Sequence, residues 1–305
     1  MAPSSRQQPE PAGDTPRPTS PPQLDFKIES LFPHAPAEPV EPFLVPAPPV
    51  VLAANGIFVE TAEGFDTQPM ANGPFGTLHG GAIGGLLANR AEALALDQGL
   101  GTPIGAHIQF LRPLKQGRLT AFAEVAQPGR RLNLVDAFIE VDGALRAEGR
   151  FTFARDLAIA GLPSLPTEDV FDPQGQPEIA PVHRPNQPWF KDALTWRAGP
   201  DGIVWMRPTV SIGDPAHILP HVIAVADWAS GIARPDGWHS PKAAAFPNPS
   251  LTIQLWRRPA GDWIGMKPVS RWNPAGFGMS EGTLYDVKGE IGTTSQPVIL
   301  LPLPE

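Results

Sequence analysis

The sequence predicts an α+β chain built from two copies of one unit, each an antiparallel sheet wrapped around a single long helix. Three observations carry that prediction: a repeated strand end, a repeated hairpin at near-matched spacing, and one long apolar helix in each half. In the first half Ile108-Gln109-Phe110-Leu111-Arg112-Pro113 ends a strand at a turn; in the second, Ile253-Gln254-Leu255-Trp256-Arg257-Arg258-Pro259 does so with one residue more. Val141-Asp142-Gly143 and Val287-Lys288-Gly289 then mark a hairpin in each half. From Gln109 to Val141 is 32 positions and from Gln254 to Val287 is 33, and the added arginine absorbs the difference.

Residues 1–49 read as a Pro-rich disordered leader, where Pro33, Pro36, Pro39 and Pro42 recur at the three-residue period of polyproline II. The first unit is expected over 50–165. It opens with a strand around Ile57-Phe58-Val59, and its helix runs from Gly80 to Leu96, stopped by Asp97-Gln98-Gly99. A second Pro-rich stretch, 166–188, reads as a linker, and the second unit is expected over 189–305. Its opening strand lies around Ile203-Val204-Trp205, and its helix runs from Pro220, a residue suited to a first turn, to Ala233. Both helices are apolar on nearly all sides, which calls for burial around the whole circumference. One buried helix in an antiparallel wrap is the hotdog arrangement. Two fused copies can pair their sheets into a pseudo-twofold double hotdog.

Composition narrows the function classes. The chain of 305 residues is 42% hydrophobic, enough to fill two cores. No apolar run reaches the roughly 18–20 residues of a membrane helix, and the first residues lack the apolar stretch of a secretory signal. A cytoplasmic protein with no membrane span is expected. Cysteine is absent, so disulfides, thiolate metal sites and a Cys nucleophile are excluded. No His/acid cluster has metal-ligand spacing and no phosphate-cradling Gly-rich motif is present, so neither metal nor cofactor is expected. A net charge of −8 argues against general nucleic-acid binding, which needs a dense basic surface.

Few residues are placed to carry chemistry. His79-Gly80-Gly81 stands where the first helix begins, and side-chain-free residues there leave backbone N–H groups open to an oxygen developing negative charge. Those glycines also serve close packing, as Gly84 and Gly85 do. Asp227 is the one charged residue between His221 and Ala233. A carboxylate in an apolar helix costs free energy unless it is hydrogen-bonded, and it suits the abstraction of a proton from water. Asn248 and Thr252, before the second Arg-Pro turn, and Gln296, late in the last strand, can each hold a water against Asp227. Counted from the hairpin glycines, Gln296 pairs with Arg150, so the halves have diverged and one competent site per chain is expected. Arg130-Arg131, at a strand start, can meet phosphates by charge-assisted contacts. Gly278-Met279-Ser280-Glu281-Gly282 fits a nucleophile elbow in letters only, because Thr283-Leu284-Tyr285-Asp286-Val287 after it reads as strand and no His follows His239.

Over about Val50–Pro302 the chain resembles the TesB-like acyl-CoA thioesterases. The resemblance rests on Thr77-Leu78-His79-Gly80-Gly81, Gln109-Phe110-Leu111-Arg112-Pro113, Gly129-Arg130-Arg131, Ala224-Val225-Ala226-Asp227, Asn248-Pro249-Ser250-Leu251-Thr252, Gly282-Thr283-Leu284-Tyr285-Asp286 and Ser295-Gln296. It implies hydrolysis of an acyl-CoA by a water set among an Asp, a Thr or Ser, and a Gln. Asp227 and Gln296 match the first and last. Asn248 stands at the position of the hydroxyl residue, with Thr252 the nearest hydroxyl in the strand. The expected catalytic residues are therefore Asp227, Asn248, Thr252 and Gln296, with His79, Gly80 and Gly81 at the substrate carbonyl and Arg130 and Arg131 at the CoA phosphates. Acyl-CoA is the expected partner, and a homodimer is left open. A hotdog that binds acyl thioesters without cleaving them, and a dehydratase or hydratase using His79 with Asp227 if the two face each other, are the alternatives.

Overall fold

The computed structural model describes residues 56–162, 171–179, 188–235 and 244–302. The expected leader, and part of the expected linker, lie outside the described residues. Alternation of apolar and polar residues makes the strands one-sided. In β5 (Leu132–Val141), Asn133, Val135, Ala137 and Ile139 are buried while the residues between them are at least partly exposed, the mark of a sheet covered on one face.

Twelve strands form one antiparallel sheet in the order β1-β2-β4-β5-β6-β3-β10-β13-β12-β11-β8-β7. In the first half these are β1 (Phe58–Thr61), β2 (Gly64–Thr67), β3 (Thr102–Phe110), β4 (Arg118–Gln127), β5 and β6 (Ala144–Ala154). In the second they are β7 (Leu194–Ala198), β8 (Val204–Pro208), β10 (Ser250–Leu255), β11 (Ile264–Asn273), β12 (Phe277–Asp286) and β13 (Gly289–Ile299). Short β9 (Ala244–Ala245) and β14 (Leu301–Pro302) pair separately. The order is a palindrome, and the halves join where β10 lies against β3, with Ser250 opposite Gln109. Each half opens with two strands where the sequence suggested one.

Register relates the four long strands of each half, β3–β6 and β10–β13, by a constant shift of 145 positions: Thr120 faces Glu140 as Gly265 faces Tyr285. The bulges between Ile139 and Glu140 and between Leu284 and Tyr285 obey the same shift. So do His107 and Thr252, which are also paired directly across the junction. The pseudo-twofold axis therefore passes between them.

This register corrects one count. Asp142 and Gly143 both have positive φ, 51° and 72°, and form the two-residue turn, whereas Gly289, at φ 108°, follows Val287-Lys288 and already belongs to β13. The two hairpin glycines thus sit at different turn positions. Gln296 is the counterpart of Phe151, not of Arg150. A one-residue slip changes the face of a strand: Phe151 and Gln296 are fully buried, while Arg150 pairs with Asp136 on the exposed side.

Helix α1 (Gly80–Asp97) lies against the first half of the sheet, and α2 (Leu219–Ala226) packs antiparallel to α1. Close approach is possible because α1 lacks side chains there; a Cβ on Gly84 would stand 2.7 Å from Ile223 Cγ2. The second helix was expected to run unbroken to Ala233. Instead it tightens at Asp227-Trp228, where Trp228 N–H donates to Val225 O, three residues back, and α3 (Ala229–Ile232) follows. Such i to i−3 closure is a local 3-10 turn. Asp227 thus caps a helix rather than sitting inside one.

Candidate functional site

His79 is held at the start of α1 by its backbone, since its N–H donates to Ala71 O and the preceding Leu78 N–H donates to Leu114 O. As the N-cap residue, His79 accepts the Gly81 N–H at Nδ1, 3.0 Å away. The same Nδ1 lies 3.0 Å from Asp227 Oδ2. A ring nitrogen holds either a lone pair or a proton, so this contact is a hydrogen bond only with a proton on one of the two partners. Nδ1 therefore either accepts from Gly81 N–H or, carrying the ring proton, donates to Asp227, while Gly80 N–H has no protein acceptor among the described residues.

The Asp227 side chain is 2% exposed and sits on α1 itself. A Cβ on Gly80 would stand 2.7 and 2.8 Å from its two oxygens, so Gly80 is what admits the carboxylate. Asp227 Oδ1 accepts from Asn248 Nδ2 at 2.8 Å. Asn248 Nδ2 also lies 3.1 Å from Gln296 Oε1. With Oε1 so engaged, Gln296 Nε2 is a buried donor with no acceptor among the described residues. A buried donor left unmet would cost about 1–3 kcal/mol, so Gln296 Nε2 calls for an acceptor.

Aromatic rings from the second half enclose the cluster. The His79 ring lies 4.7 Å from Phe190 and 4.5 Å from Trp228, and Trp196 meets Trp228 edge-on at 4.8 Å. Their role here is not marked by any motif in the sequence. The signal was present in the closeness of Trp189, Phe190, Trp196, Trp205 and Trp228.

The structure thus brings His79, Gly80, Gly81, Asp227, Asn248 and Gln296 together. It does not bring Thr252, whose Oγ1 lies 2.9 Å from His107 Nδ1 on the outer face of the sheet. Nor does it bring Arg130 and Arg131. Arg155 bonds both Arg130 O and Gly99 O, so that pair stands by the C-terminal end of α1. At 1.5 Å per residue, this is roughly 25 Å from Gly80. Ser280, of the elbow-like motif, is buried within β12 against Ser270 Oγ at 2.6 Å.

At the other end of the helix pair, Glu92 of α1 accepts the Leu219 N–H of α2 at 2.8 Å, and His217 Nδ1 lies 2.6 Å from Asn89 Oδ1. Burial raises the Glu92 pKa against the lowering effect of the Leu219 hydrogen bond. A cavity of about 390 Å³ opens there, lined by Phe58, Phe65, Leu86, Asn89 and His217 among others. It is not at Asp227, yet the chemistry is weaker. The 145 shift puts Phe151 and Pro103 in the places of Gln296 and Asn248, and neither side chain has a donor.

Models of the acyl-CoA thioesterase N-terminal domain and C-terminal domain match residues 68–154 and 163–300, one after the other. The chain belongs to the acyl-CoA thioesterase family. As such it is a thioester hydrolase of the TesB-like, double-hotdog kind. A putative thioesterase from Novosphingobium aromaticivorans superposes with a TM-score of 0.60 at 19% identity, over 81% of this chain and 99% of that one. A hotdog protein of unknown function from Alicyclobacillus acidocaldarius gives 0.60 at 14%, over 81% and 96%. The tesB protein of Mycobacterium avium subs paratuberculosis gives 0.54 at 16%, over 80% and 96%. At such identities the likeness is one of fold. No protein of curated function matches the chain. Among the described residues no helix is long and apolar enough to cross a membrane.

Proposed function

We propose that this thioesterase cleaves acyl-CoA with a water bound among Asp227, Asn248 and Gln296. The observation that carries the reading is the buried, unmet Gln296 Nε2 donor beside a buried carboxylate, which needs an oxygen to complete it. Water accepts from Gln296 Nε2 and donates to Asp227. As its oxygen attacks the carbonyl carbon, Asp227 takes the proton. The carbonyl oxygen gathers charge facing Gly80 N–H at the start of α1, where the helix dipole favours it. Collapse breaks the C–S bond, and CoA leaves as a thiolate that recovers the proton. Asn248 donates to Asp227 and so holds the carboxylate aligned, in place of a hydroxyl.

The contact between His79 and Asp227 favours one second reading, hydration of an enoyl-CoA. In that chemistry both side chains converge on one substrate water. Here His79 Nδ1 faces Asp227 Oδ2 instead, and with its ring proton on that nitrogen it donates to the carboxylate and orients it. The test is release of free CoA from saturated acyl-CoAs of graded length, with loss of enoyl absorbance from a 2-enoyl-CoA followed in parallel. CoA release without hydration is expected. Hydration without CoA release would reverse the assignment, and binding with neither would make the protein a carrier of acyl thioesters.

A further inference from the structure

Arg234 follows α3 and stands seven residues beyond Asp227 in the chain, about 10 Å at the helical rise. Its guanidinium lies over the Phe246 ring, 5.0 Å from the centroid. Phe246 comes two residues before Asn248 and meets Phe75 edge-on at 5.4 Å, in the loop that leads to His79. Phe75 is 40% exposed. Arg234 therefore belongs to a short aromatic shelf that spans both halves beside the Asp227 cluster. Its Nε is buried with no acceptor among the described residues, and no carboxylate among them bridges it. Burial lowers its pKa.

A guanidinium keeps its charge in proteins, so a half-buried one with no anion among the described residues suits an anionic ligand. A fork of N–H donors matches a phosphate, and aromatic rings beside it offer a stacking face for a flat base. We propose that Arg234 binds a phosphate of the CoA moiety and that the Phe75–Phe246 shelf flanks the nucleotide. The proposal rests on the acyl-CoA reading of the adjoining site, and it replaces Arg130 and Arg131 as the phosphate contact.

The test separates the phosphate contact from the chemistry by using ligands that are not hydrolysed. The full chain, Arg234→Met and Arg234→Lys are titrated calorimetrically with CoA and with pantetheine, which has the thiol arm but no phosphate. Methionine keeps the packing on Phe246 without the charge. CoA affinity should fall about tenfold to a hundredfold in Arg234→Met, the worth of a charge-assisted pair. It should fall less in Arg234→Lys, and pantetheine affinity should hold within twofold. Raising ionic strength should weaken CoA binding in the parent and do so less in Arg234→Met. Equal weakening for both ligands, or unchanged CoA affinity in a variant that melts lower, would show a guanidinium held for structure alone and overturn the proposal. Hydrolysis of acyl-CoA by the parent is measured alongside; its absence sinks the thioesterase mechanism and leaves the CoA–pantetheine difference to be judged separately.

Discussion

Asn248 Nδ2 donates to Asp227 Oδ1 at 2.8 Å and reaches Gln296 Oε1 at 3.1 Å, so one amide links the carboxylate of the second helix to the last strand of the sheet. A hydroxyl has one hydrogen to give, whereas an amide has two. Asn248 can therefore satisfy both neighbours at once and leave Gln296 Nε2 free for the proposed water.

Replacing Asp227 by Asn removes the base and keeps the shape. Turnover should fall by about 10²–10⁴, the usual worth of a positioned general base. Substrate affinity should change little, because the lost interaction acts on the attacking water. Melting temperature should hold or rise as a buried charge becomes a neutral amide. CoA release per folded protein, acyl-CoA affinity and melting temperature decide it. Unchanged turnover in a folded variant would end the mechanism.

Asn248 and Thr252 should part company on mutation. Asn248→Ala strips the donor from Asp227 and Gln296 and should lower turnover about tenfold to a hundredfold. Thr252→Ala loses a contact with His107 on the outer face and should keep turnover within about twofold, as surface changes do. Steady-state kinetics on both variants suffice, and a larger loss in Thr252→Ala would move the site.

Two of the α1 glycines at the helix contact have different consequences on substitution. Gly84→Ala drives a Cβ to within 2.7 Å of Ile223 Cγ2 and 3.1 Å of Ile108 Cδ1. It should destabilise by about 1–3 kcal/mol through overpacking, with turnover per folded molecule preserved. Gly80→Ala meets the Asp227 oxygens instead, so turnover should fall more than tenfold even where the fold survives. Thermal melts paired with CoA release distinguish the two.

Glu92 carries a pH signature. Burial raises its pKa above the ordinary value near 4.5. The folded state therefore holds the proton more tightly than the unfolded one. Its contribution to stability is complete below about pH 4.5 and is lost as pH rises through the folded value. Glu92→Gln keeps an acceptor for Leu219 N–H and removes the charge. The melting-temperature gain of the variant over the parent should grow from acidic to neutral pH. A gain independent of pH would place the carboxylate in water.

The repeat, the two buried helices and the one-sided strands were legible in the sequence, because 3.6-residue and two-residue periodicities and turn residues are local. Asp227 stood out for the same reason, as a lone carboxylate in an apolar run. Tertiary structure alone decided which donors reach it. His79 meets Asp227 because α1 and α2 run antiparallel over a glycine contact, a relation no spacing in the chain encodes. Thr252, close in sequence to Asn248, points elsewhere because Asn248 lies in the loop before β10, free of the strand's alternation, whereas Thr252 is fixed by it to the outer face beside His107. Phe190, Trp196 and Trp228 close around His79 only once the second half has folded against the first. The count from the hairpin glycines slipped by one for a physical cause, since glycine serves two turn positions and letters do not say which. Local periodicity determines elements and their buried faces; the face-to-face meeting of two helices and the register of the strand beside them determine the site.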